Sequence, residues 1–217
     1  MTEVPMYFFD LDGTLLDSNG VWLDIDMEFL GRRGISPVPE DYTDYVTHHT
    51  FHDAAEYTRV RFSLPMTGAE IAGAWREMAR EAYGGRLSLK PGARDFLLRA
   101  NQAGVRCALL TSCMPELCRA ALEAHNLSPL LEAVLTTAEL GLEKSDPALY
   151  LRAAELCGEA PARCVLFDDS PVYCAAAKEA GWRVRGVADP IFARRSGELA
   201  ALCGPDGYPF DFSGPLP

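Results

Sequence analysis

Phe8-Phe9-Asp10-Leu11-Asp12-Gly13-Thr14 is the stretch on which the fold turns: an apolar run that ends in two carboxylates. Met6 to Phe9 has the length and character of a fully buried strand, and Gly13 stops it. In an open parallel sheet, ligands bind beyond the carboxyl ends of the strands. Asp10 and Asp12 therefore stand at the chemical edge, and their i, i+2 spacing points both side chains the same way. Asp and Gly are also ordinary turn residues, so the run alone reads equally as a turn with two solvated acids. What the other strand ends carry decides between the two.

Moving outward, Leu15 to Asn19 forms a turn, and then the pattern changes. Trp22, Ile25 and Phe29 share one face of an amphipathic helix that stops near Gly31 and Gly34, with Trp22 expected in its core. Residues 41–63 read as helical, and Thr67-Gly68-Ala69-Glu70 is a capping box opening a helix with Ile71, Trp75, Met78 and Ala82 on one side. Gly84-Gly85 ends it. No strand is expected between Val21 and Tyr83.

From Pro91 onward helices and strands alternate. Helices are expected at 92–103, 115–125, 146–157 and 170–180, and strands at 105–111, 133–136, 164–167 and 183–187. Asp146-Pro147 is an N-cap followed by proline at the first helical position. This alternation predicts an α/β fold, a doubly wound, Rossmann-like parallel sheet. Residues 1–17 and 89–217 would form its core domain, and 18–88 an all-helical domain inserted after the first strand. The tail from Ala188 is expected to hold one more helix, and its Gly/Pro-rich end says little.

Composition narrows the function. The 217 residues are 48% hydrophobic and 24% charged, as in an ordinary globular protein, and the formal net charge is -11. Without a basic patch or run, neither nucleic acid nor an anionic membrane is expected as a partner. No stretch has the length of a membrane span and no signal peptide precedes the first strand, so a cytoplasmic protein is expected, a monomer or weak dimer. Seven cysteines without a Cys-x-x-Cys pair suggest reduced core thiols; Cys113, beside a candidate site segment, reads as one of them.

Four polar clusters now fall at strand ends or the adjoining loops: Asp10 with Asp12, Thr111 with Ser112, Lys144, and Asp168 with Asp169. Four carboxylates in one site cannot all stay ionised unaided. Each like pair at ~4 Å costs about 4 kcal/mol at an effective dielectric near 20, so a cation is required. An all-carboxylate donor set suits Mg2+ rather than zinc, and Lys144 is the natural second positive group. Taken singly, Thr111-Ser112 could cap the next helix, Lys144 could be a solvated lysine, and Asp168-Asp169 could be helix-start acids.

As an ordered set they resemble the four motifs of the haloacid dehalogenase (HAD) superfamily of phosphatases, with 18–88 in the position of its helical C1-type cap. The resemblance is to the phosphoglycolate phosphatase and β-phosphoglucomutase group, and it covers nearly the whole chain. It implies Mg2+-dependent hydrolysis of a small phosphorylated metabolite. Asp10 would be the nucleophile that forms an aspartyl-phosphate, and Asp12 would protonate the leaving oxygen and then activate water. The Asp10 side chain, the Asp12 backbone carbonyl and Asp169 would ligate Mg2+, with Asp168 supporting the metal through water. Thr111, the Ser112 backbone and Lys144 would hold the phosphate.

Related activities fit less well. Dehalogenases lack the second aspartate of the first motif, which is Asp12 here. Phosphonate hydrolases replace that aspartate and use a cap lysine, whereas residues 18–88 contain no lysine. β-Phosphoglucomutase has a hinge histidine where this chain has Trp22, and its cap lysine is missing here too. A weakly active phosphate-binding regulator on the same fold remains a separate reading. Receiver domains are shorter and lack the large insertion. In the insert, Arg59 and Arg61 could reach a substrate carboxylate or second phosphate, although surface arginines are the plainer reading. His48 and His52 have the i, i+4 spacing of a metal pair, but no third ligand beyond Glu56 stands near, so His48, His49 and His52 read as a solvated face.

Overall fold

The computed structural model describes residues 5–47 and 51–217. In chain order it contains β1 (Met6–Phe9), α1 (Val21–Gly31), α2 (Glu40–Thr47), α3 (Phe51–Arg61) and α4 (Gly68–Glu81), which runs into a π-helical turn at Ala82–Arg86. There follow α5 (Ala93–Gln102), β2 (Arg106–Thr111), α6 (Pro115–Ala124), β3 (Ala133–Thr136), α7 (Thr137–Leu140) and α8 (Pro147–Leu156). The chain ends with β4 (Cys164–Asp168), α9 (Pro171–Glu179), β5 (Arg183–Gly186) and α10 (Ser196–Cys203).

The five strands form one parallel sheet in the order β3-β2-β1-β4-β5. β1 is central, pairing Phe8 with Ala108 of β2 and with Leu166 of β4. Its four residues are buried, which is why its sequence is continuously apolar rather than alternating. Strand order reverses on the two sides of β1, so the crevice beyond its carboxyl end is the expected ligand position. The two sheet faces have different cores. On one, Phe9 stacks on Phe167 at 4.6 Å and Phe96 packs edge-on to both. On the other, Met6, Phe8, Leu110, Leu166 and Val184 meet Leu149, Tyr150 and Trp182. Burying each such side chain contributes roughly 1.5–3 kcal/mol.

The chain divides into two compact units, one of residues up to Asn19 together with Leu87–Pro217, the other Gly20–Arg86. Ser18 and Asn19, which the sequence reading gives to the insert, make their side-chain hydrogen bonds to Asp12 and Asp169 of the sheet unit. Leu87 and Ser88 also fall in that unit, where Ser88 O accepts the Asp17 N–H at 2.9 Å.

The second unit is helical, with no strand among its described residues. The Thr67–Glu70 capping box is formed in both directions at α4. Phe29 meets Trp75 edge-on at 5.9 Å, over buried Ile25, Ile71 and Met78. Trp22 is a correction to the sequence reading: it is 38% exposed and not core. The inward stripe of α1 is Val21, Ile25, Phe29 and Leu30, and Trp22 lies one position off it, edge-on to Phe51. Asp26 on the same helix is buried, and burial pushes its carboxyl up to about 6 against a hydrogen bond with Tyr42. The Tyr42 hydroxyl is 2.9 Å from Thr58 Oγ1, whose own proton goes to Ala54 O at 2.7 Å.

Two further elements escaped the sequence reading. α7 is a single turn capped by Thr136, whose Oγ1 accepts the Glu139 N–H at 3.2 Å. The Gly/Pro-rich tail after α10 is ordered against the sheet: Phe210 N donates to Gly186 O at 2.7 Å and Phe212 is buried. The Tyr7 hydroxyl reaches Pro217 O at 2.7 Å.

Candidate active site

The site grows from the carboxyl ends of β1, β2 and β4. After Phe9 the Asp10 N–H still bonds Phe167 O at 2.9 Å, so Asp10 leaves the sheet beside β4. The chain then turns at Gly13, whose φ of 76° favours glycine, and Gly13 N donates to Leu16 O at 2.8 Å. A Cβ at Gly13 would lie 2.1 Å from Asn19 Nδ2 and 2.3 Å from Asp169 Oδ2. This close approach lets Asn19 reach across and donate to Asp169 Oδ2 at 2.8 Å.

Lys144 is the centre of charge. Its side chain is fully buried, with Nζ 2.8 Å from Asp10 Oδ1 and 2.6 Å from Asp168 Oδ2. The Tyr150 hydroxyl donates to Lys144 O at 2.8 Å and fixes the loop, and Nζ stands 4.7 Å over the Tyr173 ring. Burial alone would lower the Lys144 pKa, but the Asp10 and Asp168 carboxylates overturn this and hold it well above the usual lysine range. Asp168 takes its second bond from Ser170 N at 2.8 Å. Burial pushes its carboxyl up to about 6 against the opposing pull of Lys144, with Asp10 adding to the rise. Asp169 is pushed higher, to about 8, by burial and then by the charges of Asp168 and Asp10, with the Asn19 hydrogen bond opposing.

Asp10, Asp168 and Asp169 each present a carboxylate oxygen within 4.8 Å of the others. Three buried carboxylates face one buried ammonium, and the acid without a cationic hydrogen-bond partner, Asp169, is the one whose charged form is most disfavoured. Such an oxygen-only set fits a hard divalent cation.

Asp12 lies outside this cluster. Its Oδ1 accepts from Ser18 Oγ at 2.5 Å, and the Cys113 thiol also hydrogen-bonds its carboxylate. Burial, followed by the Asp12 charge, raises the Cys113 pKa, so this thiol is held protonated as a donor. Thr111 is fully buried at the end of β2, and its Oγ1 accepts Cys113 N–H at 3.1 Å. It does not cap α6, whose N-cap is Met114, and Ser112 beside it is exposed.

Of the sequence-proposed residues, Asp10, Lys144, Asp168 and Asp169 are thus brought together. The insert residues are engaged elsewhere. Arg59 makes a two-toothed pair with Glu56 and Arg61 pairs with Asp41 at 3.5 Å. His52 is exposed, while His48 and His49 lie outside the described residues. Sequence reasoning missed Asn19, Cys113 as a partner of Asp12, and the Tyr150–Tyr173 support of Lys144. The nearness of Ser18-Asn19 to the first motif is the signal that could have found the first of these.

The chain also has recognisable relatives among known proteins. The profile described as "Hydrolase: haloacid dehalogenase-like hydrolase" matches residues 5–181. The chain is similar to hexitol phosphatase A of Escherichia coli (strain K12), 30% identical over 198 residues, covering 89% of this chain and 87% of that one. It is similar also to the protein CbbY of Rhodobacter capsulatus, 27% identical over 84% of each chain. In three dimensions it is similar to a crystal structure of a putative β-phosphoglucomutase from Thermotoga maritima. That match has a TM-score of 0.81 at 20% identity over 93% of both chains, which speaks for the fold. With its profile match running from the first strand through the Asp168-Asp169 pair, the chain belongs to the haloacid dehalogenase-like hydrolase family.

Proposed function

We propose that this hydrolase is a Mg2+-dependent phosphatase acting on small phosphate monoesters through an aspartyl-phosphate on Asp10. The observation that carries the reading is the buried Lys144, bonded at once to Asp10 and Asp168 with Asp169 alongside. Lys144 holds the Asp10 carboxylate in one orientation and offsets charge where a phosphoryl group would arrive. Asp10 attacks phosphorus, and Asp12 gives its proton to the departing alkoxide. Asp12 then takes a proton from the water that cleaves the aspartyl-phosphate. Ser18 and Cys113 hold Asp12 for both transfers. Thr111 and the backbone of Ser112 bind phosphate oxygens. The Asp10 and Asp169 carboxylates with the Asp12 backbone carbonyl would hold Mg2+, with Asp168 supporting it through water. The ion would screen the phosphate charge and polarise its oxygens.

The relative named hexitol phosphatase A supports a phosphorylated sugar or polyol as substrate. Substrate choice is assigned to the insert as a cap domain. Arg59 and Arg61 serve there as binders of a second anionic group, since exposed ion pairs such as theirs are screened by solvent and exchange readily. The free thiols support a reducing, cytoplasmic setting. A Mg2+-dependent assay with an aryl phosphate, followed by a panel of sugar and polyol phosphates, tests the activity. Asp10→Asn is expected to abolish turnover with the fold intact, and Asp12→Ala to slow it by about 100-fold or more. Substantial turnover by Asp10→Asn would remove Asp10 as the nucleophile.

A further inference from the structure

Outside the active site, one pair of thiols stands apart from the other five. Cys174 is fully buried on α9, with Sγ 3.8 Å from Asp168 O. Cys203 is the last residue of α10 and partly exposed. Its Sγ would be 3.2 Å from a Cβ placed on Gly186. Gly186 is the register partner of Asp168 across β4 and β5, so the two sulfurs lie beside paired residues of neighbouring strands. The two thiols hydrogen-bond to each other. α9 and α10 are tied together further by Lys178 Nζ, which donates to Leu202 O at 2.7 Å.

The surroundings separate the roles of the two sulfurs. The Cys203 pKa is lowered, first by the hydrogen bond from Cys174 and, against its partial burial, by the nearby Arg185 and Lys178 charges. The other six cysteines are buried. The thiolate is the attacking species, and it must be reached from solvent. Cys203 is reached from solvent and the buried Cys174 beside it is not, which makes Cys174 the resolving thiol.

We propose that Cys203 and Cys174 form an oxidation site for small hydroperoxides, closing to an intramolecular disulfide. In the first step the Cys203 sulfur attacks one peroxide oxygen and the O–O bond breaks. With hydrogen peroxide this leaves Cys203 sulfenic acid and releases hydroxide. In the second step the Cys174 sulfur attacks the Cys203 sulfur, the S–O bond breaks, and the Cys174 proton leaves with the oxygen as water. Two thiols are oxidised by two electrons and one peroxide is reduced. The cross-link joins the helix that starts directly after Asp169-Ser170 to the C-terminal helix. This inference does not depend on the phosphatase reading.

The test uses the full chain and hydrogen peroxide, with alkylation of remaining thiols and peptide mass mapping. A Cys174–Cys203 cross-linked peptide is expected before the other five thiols are lost, and dithiothreitol should reverse it. Cys203→Ser should abolish the cross-link, while Cys174→Ser should leave a sulfenic acid on Cys203 that dimedone traps. Should either variant misfold, the wild-type chain decides alone: iodoacetamide should modify Cys203 at least about tenfold faster than any other cysteine. Equal modification of several thiols, oxidation of Cys203 without linkage to Cys174, or cross-linking between chains would overturn the proposal.

Discussion

The carboxylate cluster makes divalent-ion affinity a function of pH, and the size of the effect follows from Asp169. Its carboxyl is raised to about 8 in the folded chain, so at neutral pH it carries a proton that a bound cation must displace. With apparent affinity falling as the fraction ionised, Mg2+ should bind roughly 25-fold more weakly at about pH 6.5 than at about pH 8.5. Asp168 is raised only to about 6, so it adds little over that window. Close to one proton, roughly 0.9, should be released per ion bound at about pH 7. Isothermal titration calorimetry in buffers of different ionisation enthalpy measures both quantities. Asn19→Ala removes the hydrogen bond that favours the Asp169 carboxylate, so it should move the midpoint upward by up to about one pH unit. An affinity that changes less than about threefold across the window, with no proton release, would refute the reasoning.

Two further predictions concern stability. Lys144→Met leaves Asp10 and Asp168 buried without their shared cation, at a cost of about 3–5 kcal/mol. Thermal unfolding of the metal-free variant should fall by roughly 10 °C, and saturating Mg2+ should restore part of the loss; an unchanged Tm would contradict the placement of Lys144. Asp26 has a folded-state pKa of about 6 against an ordinary 3.8, so its contribution is best below the lower value and is lost as pH rises through about 6. That shift corresponds to about 3 kcal/mol. Asp26→Asn should recover roughly 1–2 kcal/mol of it above that pH, because the amide still needs partners. Chemical denaturation across pH checks this, and a variant-minus-wild-type difference that does not change with pH would count against it.

The parallel sheet was legible because its strands are short, apolar and bounded by turn residues, and because all four chemical clusters close such runs or follow them in the next loop. Lys144 was legible only as the cation the carboxylates and the resemblance called for; nothing in Glu143-Lys144-Ser145 announces a buried ammonium. Its environment is set by Asp10, 134 positions earlier, and by Asp168, contacts that no local pattern encodes. Asn19 was hidden for a similar reason, since its bond to Asp169 depends on the missing Cβ of Gly13. Trp22 misled because a helical period drawn through the largest side chain is one residue out of phase with the stripe that is buried. The end of the tail was unreadable among its glycines and prolines, because the contacts that dock it, Phe210 on Phe167 and Phe212 on Phe96, lie far apart in sequence.

The central claim is covalent chemistry at Asp10. Rapid acid quench of the enzyme turning over a phosphate monoester, then borohydride reduction, converts an acyl-phosphate aspartate to homoserine. The account predicts homoserine at position 10, dependent on both substrate and Mg2+ and absent from Asp10→Asn. Full turnover with no reducible adduct at Asp10, or an adduct on another residue, would contradict it.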